Sequence, residues 1–443
     1  MTTLASLRER AATAVAATAE RLADPDRVAA ALASVGRHWA PYGLADGAPG
    51  LALLHAELAR HPSPVPAPER PGAPVLVRAN PYRAAAHAWL GAASRGAKTT
   101  GSGLYDTVPA LFFALSAAAT GPEDYAPARA HLHRQTVILA DRLTDREHHR
   151  IEGRTGCTTL DSYDLVSGLA GLGALLLTQD HLDATPDPLH RLLSALVLLT
   201  EPVAGRPGWW VAQTPHDYGT VDPSLGHANL GLAHGIPGPL ALLALAWQQG
   251  VRVPGQDTAI RRMAEWLLQQ TRHDQAGPWW PTVLEEGIDP DRTPGRPSWC
   301  YGSPGIARAL QLAGLALDVP GWRATAETAA LAAVTRATDP GFEPLTDAGL
   351  CHGWGGLLHC TWRIAQDGHH GLLADQLPTL ATRLLELVEP AGPFGFRPPR
   401  TRNGWTDDPA GFLTGAAGAA LALHTFATDL APDTTWDRAL LLA

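Results

Sequence analysis

One short motif recurs seven times along the chain, and it confines the fold more tightly than any other feature. The copies occupy 45–50, 105–110, 166–171, 233–238, 300–305, 351–356 and 413–418. Most carry glycine at the third and sixth positions, as in Val166-Ser167-Gly168-Leu169-Ala170-Gly171 and Cys300-Tyr301-Gly302-Ser303-Pro304-Gly305, whereas Tyr105-Asp106-Thr107-Val108-Pro109-Ala110 is degenerate. The third positions fall at 47, 107, 168, 235, 302, 353 and 415, so the intervals are 60, 61, 67, 67, 51 and 62 residues. Each copy opens an Ala/Leu-rich run with apolar residues at helical spacing, and two helices of about 12 to 18 residues with short connections fill such an interval. The two glycines suit a tight entry into a helix and a close approach to a neighbouring element. Pro49, Pro237 and Pro304 suit a first helical turn. Seven helical hairpins are expected.

Repeats that stack only on their neighbours build an open solenoid or a closed ring. An open solenoid needs polar capping repeats, yet the last copy and its helix, Phe412 to Phe426, are as apolar as the middle ones. The expectation is an all-α fold, an α/α toroid of seven hairpins forming one domain over 1–443. Pro/Gly-rich stretches at His61 to Pro74, Gly205 to Gly226 and Asp289 to Pro297 then read as rim loops, not linkers. An apolar fraction of 45% with 17% charged residues suits a large helical core. The net charge of −9, with no basic run interleaved with aromatics, argues against nucleic acid as a partner. Met1 to Ala30 alternates charges with Ala and Leu, so it reads as an opening helix and not as a secretory signal. No apolar stretch reaches the roughly 20 residues of a membrane span, and a cytoplasmic chain is expected. Four cysteines are too few for a disulfide scaffold in a chain of this length.

In a ring of equivalent repeats the first two positions of each copy form a belt. The first positions are Ala45, Tyr105, Val166, Ala233, Cys300, Cys351 and Leu413, and the second are Asp46, Asp106, Ser167, His234, Tyr301, His352 and Thr414. Cys300 and Cys351 share a slot in adjacent copies, which predicts that they lie side by side. With His352 they make two thiolates and an imidazole, a donor set that suits Zn²⁺ and leaves a fourth position open. An arbitrary Cys and a Cys-His pair would more often be buried core residues, but the shared slot favours a metal, and a disulfide would leave the imidazole unexplained. His234, one copy earlier, suits a general acid or base or a structural role. Tyr301 either donates to developing negative charge or packs. Asp164 either orients an imidazole or caps a helix. Arg296, four residues before Cys300, either binds a substrate carbonyl or carboxylate or is a solvated loop charge. Cys157, Cys360, His359, His369 and His370 fall outside the belt and read as structural. Trp209, Trp210, Trp279, Trp280, Trp299, Trp354 and Trp405 line a peptide-accepting cleft or pack the core.

Ser298-Trp299-Cys300-Tyr301-Gly302, Cys351-His352-Gly353 and Asn229-Leu230-Gly231-Leu232-Ala233-His234-Gly235 resemble the hallmark motifs of lanthionine synthetase C-like proteins. The likeness extends to Tyr163 through Gly171 and to Phe412-Leu413-Thr414-Gly415. It implies an α/α toroid with a central zinc held by Cys300, Cys351 and His352, with His234 as acid/base and Asp164, Arg296 and Tyr301 in support. It also implies a stand-alone class I lanthipeptide cyclase, which forms (methyl)lanthionine thioethers by adding peptide Cys thiolates to dehydroalanine or dehydrobutyrine. The implied partners are a dehydrated precursor peptide, a dehydratase and a transporter. A rival keeps the same site but adds a small thiol such as glutathione to dehydroamino acids. Other α/α toroids, the terpene cyclases and prenyltransferases, fit less well because no Asp-x-Asp-Asp motif is present. The departures are Pro237 and the weak second copy, and the small β-containing module of some class I members has one short strand candidate here, Ala73 to Ala79.

Overall fold

The computed structural model describes residues 3–34, 41–61, 80–96, 101–153, 156–178, 187–203, 205–212, 226–287, 293–342, 344–368, 371–398 and 409–443. Every copy of the motif leads into an inner helix: Ala48–Arg60, Thr107–Ala118, Leu169–Leu177, Pro237–Gln248, Ser303–Ala316, Trp354–Gln366 and Ala416–Thr428. These helices are largely buried and mostly apolar; all nine residues of Leu169–Leu177 are buried, and the polar side chains that do occur, such as Arg308 and His359, are buried too. Most outer helices have one buried face and one exposed face. In Gln256–Gln269, Ala259, Ile260, Met263, Ala264 and Leu267 turn inward.

Closure is visible in the main chain. The N–H groups of Leu44, Tyr105, Leu165, Ala233, Cys300, Cys351 and Leu413 donate in turn to the carbonyls of Tyr105, Val166, Ala233, Cys300, Cys351, Leu413 and Ala45, at 2.8 to 3.2 Å. The seventh bond returns to the first copy, so the chain forms the expected α/α toroid. Six hairpins are contiguous, pairing their inner helices with the outer helices Pro81–Ser94, Ala126–Glu152, Asp187–Leu198, Gln256–Gln269, Pro320–Thr338 and Leu377–Leu385. The seventh is composite: the opening helix Leu4–Arg21 packs on Ala416–Thr428 and joins the two ends of the chain. Pro25 begins a second short helix, Pro25–Ser34, so the expected N-terminal helix is two.

The sixth-position glycine answers both to the chain's own incoming loop and to the neighbouring copy. A Cβ on Gly356 would lie 1.9 Å from the Leu350 carbonyl oxygen, and on Gly305 2.2 Å from that of Trp299. The first obstacle is the chain's own incoming loop, six residues back, and the second is the adjacent copy: a Cβ on Gly171 would lie 2.8 Å from Leu104 Cβ, and on Gly50 2.7 Å from Phe412 Cβ.

The segment 434–442 enters the inner ring and is clasped there. Tyr105 Oη donates to the Ala439 carbonyl at 2.8 Å, Trp299 Nε1 to Leu440 at 3.0 Å and Arg308 Nε to Leu442 at 2.9 Å. Asp437 is fully buried and pairs with His359 Nε2 at 2.8 Å and Arg363 Nε at 2.5 Å. Burial would raise the Asp437 carboxyl, but these partners outweigh it and hold it well below the usual carboxylate range.

Strands are few. His227–Asn229 pairs antiparallel with Val283–Glu285, and Arg272–Asp274 with Gly277–Trp279. The strand candidate Ala73 to Ala79 lies outside the described residues, as do 62–74, 213–225 and 289–292 of the expected rim loops. Among the described residues, no helix is long and apolar enough to cross a membrane.

Candidate metal centre

All seven second belt positions are half-buried, so the belt borders an opening. On one arc of it, Cys300 Sγ, Cys351 Sγ and a ring nitrogen of His352 lie within 4.8 Å of one another. The ring bond from Cys300 N to Cys351 O, 3.2 Å long, sets the two cysteines beside each other. Donors around a tetrahedral zinc at about 2.0–2.3 Å stand roughly 3.5–3.8 Å apart. Small side-chain rotations would therefore gather these three around such an ion, and the sulfur and nitrogen atoms match its preference. No other group of three His, Cys, Asp or Glu donors converges in this way among the described residues. The Cys300 thiol is held well below its ordinary range by hydrogen bonding with Cys351, against the opposing effect of burial and with help from His352. Ser298 Oγ stands 3.6 Å from Cys300 Sγ.

The neighbouring arc carries the remaining candidates. Asp164, 1% exposed, orients the imidazole but does not cap the helix Leu169–Leu177, whose N-cap is Gly168 with no side-chain bond. Its Oδ1 accepts the N–H groups of Ser167 at 2.6 Å and Gly168 at 2.9 Å, and its Oδ2 faces His234 Nδ1 at 2.6 Å. Nδ1–H therefore points at the carboxylate and Nε2 is left for chemistry. Burial pulls the His234 pKa down, but the hydrogen bond and charge of Asp164 more than reverse this and raise it above the ordinary value. Tyr301 stacks on His234 with ring centroids 6.0 Å apart. Arg296 Nη1 meets Asp347 Oδ2 at 3.4 Å.

Cys360 is fully buried and its thiol is pushed up to about 12 by desolvation, which suits a structural residue. His359 is buried against Asp437 and Trp436. Cys157 lines a shallow outer cleft with Arg150, Arg206 and Trp210. The tryptophans mostly refute the cleft option: Trp209, Trp279, Trp280, Trp299 and Trp354 are at most 5% exposed and belong to the core. His369, His370 and Trp405 lie outside the described residues.

Two residues near the site, Ser298 and Asp347, were not anticipated, although slot arithmetic would have found them. Two residues before each copy stands glycine in five cases (Gly43, Gly103, Gly231, Gly349, Gly411), and Asp164 and Ser298 in the others. A Cβ on Gly103 would lie 2.3 Å from Ser167 Cα, and one on Gly349 2.5 Å from the Thr414 carbonyl. The slot thus faces the second belt position of the next copy. That is why the one aspartate placed there meets His234.

Fold and site together define a class: a closed seven-hairpin α/α toroid whose belt gathers two thiols and an imidazole beside a carboxylate-held histidine. The family profile of lanthionine synthetase C-like proteins matches residues 38–441, and the chain belongs to that family. It is 26% identical over 298 residues to the nisin biosynthesis protein NisC of Lactococcus lactis subsp. lactis, a match that covers 64% of this chain and 65% of that relative's length. The solved structure of a nisin cyclase superposes with a TM-score of 0.71 at 20% identity, covering 94% of this chain and 95% of that one.

Proposed function

We propose that this single-domain toroid is a zinc-dependent lanthipeptide cyclase of class I type. The observation that carries the reading is the convergence of Cys300, Cys351 and His352 beside the Asp164–His234 pair, on a chain of this family. These three residues would hold Zn²⁺, which when bound lowers the pKa of a peptide cysteine enough to supply a thiolate near neutral pH. A dehydrated precursor peptide is the substrate, and a dehydratase and a transporter are its expected associates.

The reaction adds S–H across a carbon–carbon double bond: sulfur bonds to Cβ of dehydroalanine or dehydrobutyrine, and a proton ends on Cα. His234 Nε2 takes the thiol proton and returns one to Cα, with Tyr301 as the alternative donor. Asp164 keeps Nδ1 protonated and stabilises the imidazolium between the two transfers. Arg296 hydrogen-bonds the carbonyl on which negative charge gathers during attack.

Ring closure leaves the peptide's mass unchanged, so the assay counts free thiols by alkylation and mass spectrometry. His234→Ala should keep zinc at wild-type stoichiometry and leave the thiols of a dehydrated precursor open, while Cys300→Ala should lose the metal. Full cyclisation by the zinc-loaded His234→Ala protein would refute the acid/base assignment. Addition of glutathione to a cysteine-free dehydrated peptide, with no ring closure in the cysteine-containing one, would favour the small-thiol alternative.

A further inference from the structure

The interval that superposes Cys300 on Cys351 is 351 − 300 = 51 residues, and 347 − 296 is also 51. Arg296 and Asp347 thus occupy one slot, four residues before the motif, in the same two adjacent copies that bring the cysteines together. Across the seven copies this slot holds Pro41, Gly101, Ser162, Asn229, Arg296, Asp347 and Pro409. Charge enters it twice, with opposite signs, in the two copies that flank the candidate metal centre.

We propose that Asp347 is a positioning residue for the proposed cyclisation, and that it holds the Arg296 guanidinium at the edge of the opening, where the substrate carbonyl is bound. The proposal rests on the cyclase reading. The Asp347 side chain is 7% exposed and that of Arg296 24%, with Nη1 and Oδ2 3.4 Å apart. A carboxylate so far out of water needs a cation, which favours keeping the arginine against it. The anchor itself is held at both ends. Thr346 Oγ1 hydrogen-bonds Oδ1 at 3.3 Å, and the Asp347 carbonyl accepts the Trp354 N–H at 2.9 Å at the start of the inner helix. The bond to Asp347 runs through one nitrogen, and a guanidinium carries five N–H donors in a planar fork, so donors remain for a substrate oxygen. The arrangement parallels Asp164 and His234 on the neighbouring arc: a buried carboxylate from one copy steadies a partly exposed nitrogen-bearing side chain of the adjacent copy.

The test compares zinc-loaded wild-type protein with Asp347→Asn, Asp347→Glu, Arg296→Ala and the Asp347→Asn/Arg296→Ala double variant. The first readout needs no catalysis: the rate at which phenylglyoxal modifies Arg296, followed by peptide mass spectrometry, should rise several-fold in Asp347→Asn and return toward wild type in Asp347→Glu. The second is kcat/KM for ring closure. Asp347→Asn should lower it by about 10- to 100-fold, the usual effect of removing a residue that orients a functional group, with zinc stoichiometry unchanged. The double variant should be no slower than Arg296→Ala, because both changes remove one function. An unchanged phenylglyoxal rate, or losses that multiply in the double variant, would overturn the proposal. A wild-type protein that closes no rings would sink the cyclase reading instead, and the phenylglyoxal rates would still decide whether Asp347 holds Arg296.

Discussion

Replacing Asp164 separates catalysis from stability, because its two oxygens serve different partners. Oδ1 accepts two backbone N–H groups, from Ser167 and Gly168, and Oδ2 holds His234 Nδ1. Asp164→Asn retains an oxygen for the N–H pair but turns an NH₂ group toward the imidazole. Nδ1 must then accept, the proton moves to Nε2, and burial, no longer opposed by the carboxylate, pulls the histidine pKa down. Ring closure should slow by about 10²–10³-fold, within the usual range of general acid–base catalysis. Asp164→Ala should lose as much activity and, in addition, leave two poorly hydrated N–H groups without an acceptor, at about 1–3 kcal/mol each. Unfolding entropy of about 2.1 cal/mol/K per residue is roughly 0.9 kcal/mol/K for this chain, so a loss of about 3 kcal/mol lowers the melting temperature by about 3 °C. Asn should cost under about 1 kcal/mol. Scanning calorimetry and the thiol count on the same two proteins test this. A fully active Asp164→Asn, or an Asp164→Ala as stable as Asp164→Asn, would refute the division of labour.

Two further outcomes follow from buried charge. His55 and His424 are desolvated and their pKa values fall from 6.5 to about 4, so the unfolded chain binds more protons than the native one between those limits. Stability should be complete above about pH 6.5 and decline toward pH 4, by about 2 kcal/mol for each histidine at pH 5; a denaturation midpoint unchanged between pH 7 and 5 would contradict it. Asp437→Ala strands His359 and Arg363 without their shared partner, which should cost about 3–5 kcal/mol and lower the melting temperature by about 4 °C; calorimetry showing no change would mean that the pair is not held as drawn.

Much of the architecture was legible in one dimension because a ring of equivalent units repeats its chemistry at fixed slots. Seven copies, the apolar last one, and two cysteines in one slot were enough to expect closure and the meeting of Cys300 with Cys351. Arg296 and Asp347 were equally legible by the same 51-residue shift, but only if the comparison extends beyond the motif into the loop before it. The tryptophans were not legible, since an indole suits a cleft wall as well as a core, and only the covering of Trp299 and Trp354 by other elements decides.

Local rules therefore determined what the neighbouring chain could dictate: helices from apolar spacing, glycine where the incoming loop would strike a Cβ, and the register of the belt. The tertiary structure alone decided contacts whose partners are far apart in sequence and share no period. Leu4–Arg21 completes the seventh hairpin, and 434–442 is clasped inside the ring by Tyr105, Trp299, Arg308 and His359. Such contacts depend on the space left once the ring has closed, and no short stretch of residues encodes the shape of that space.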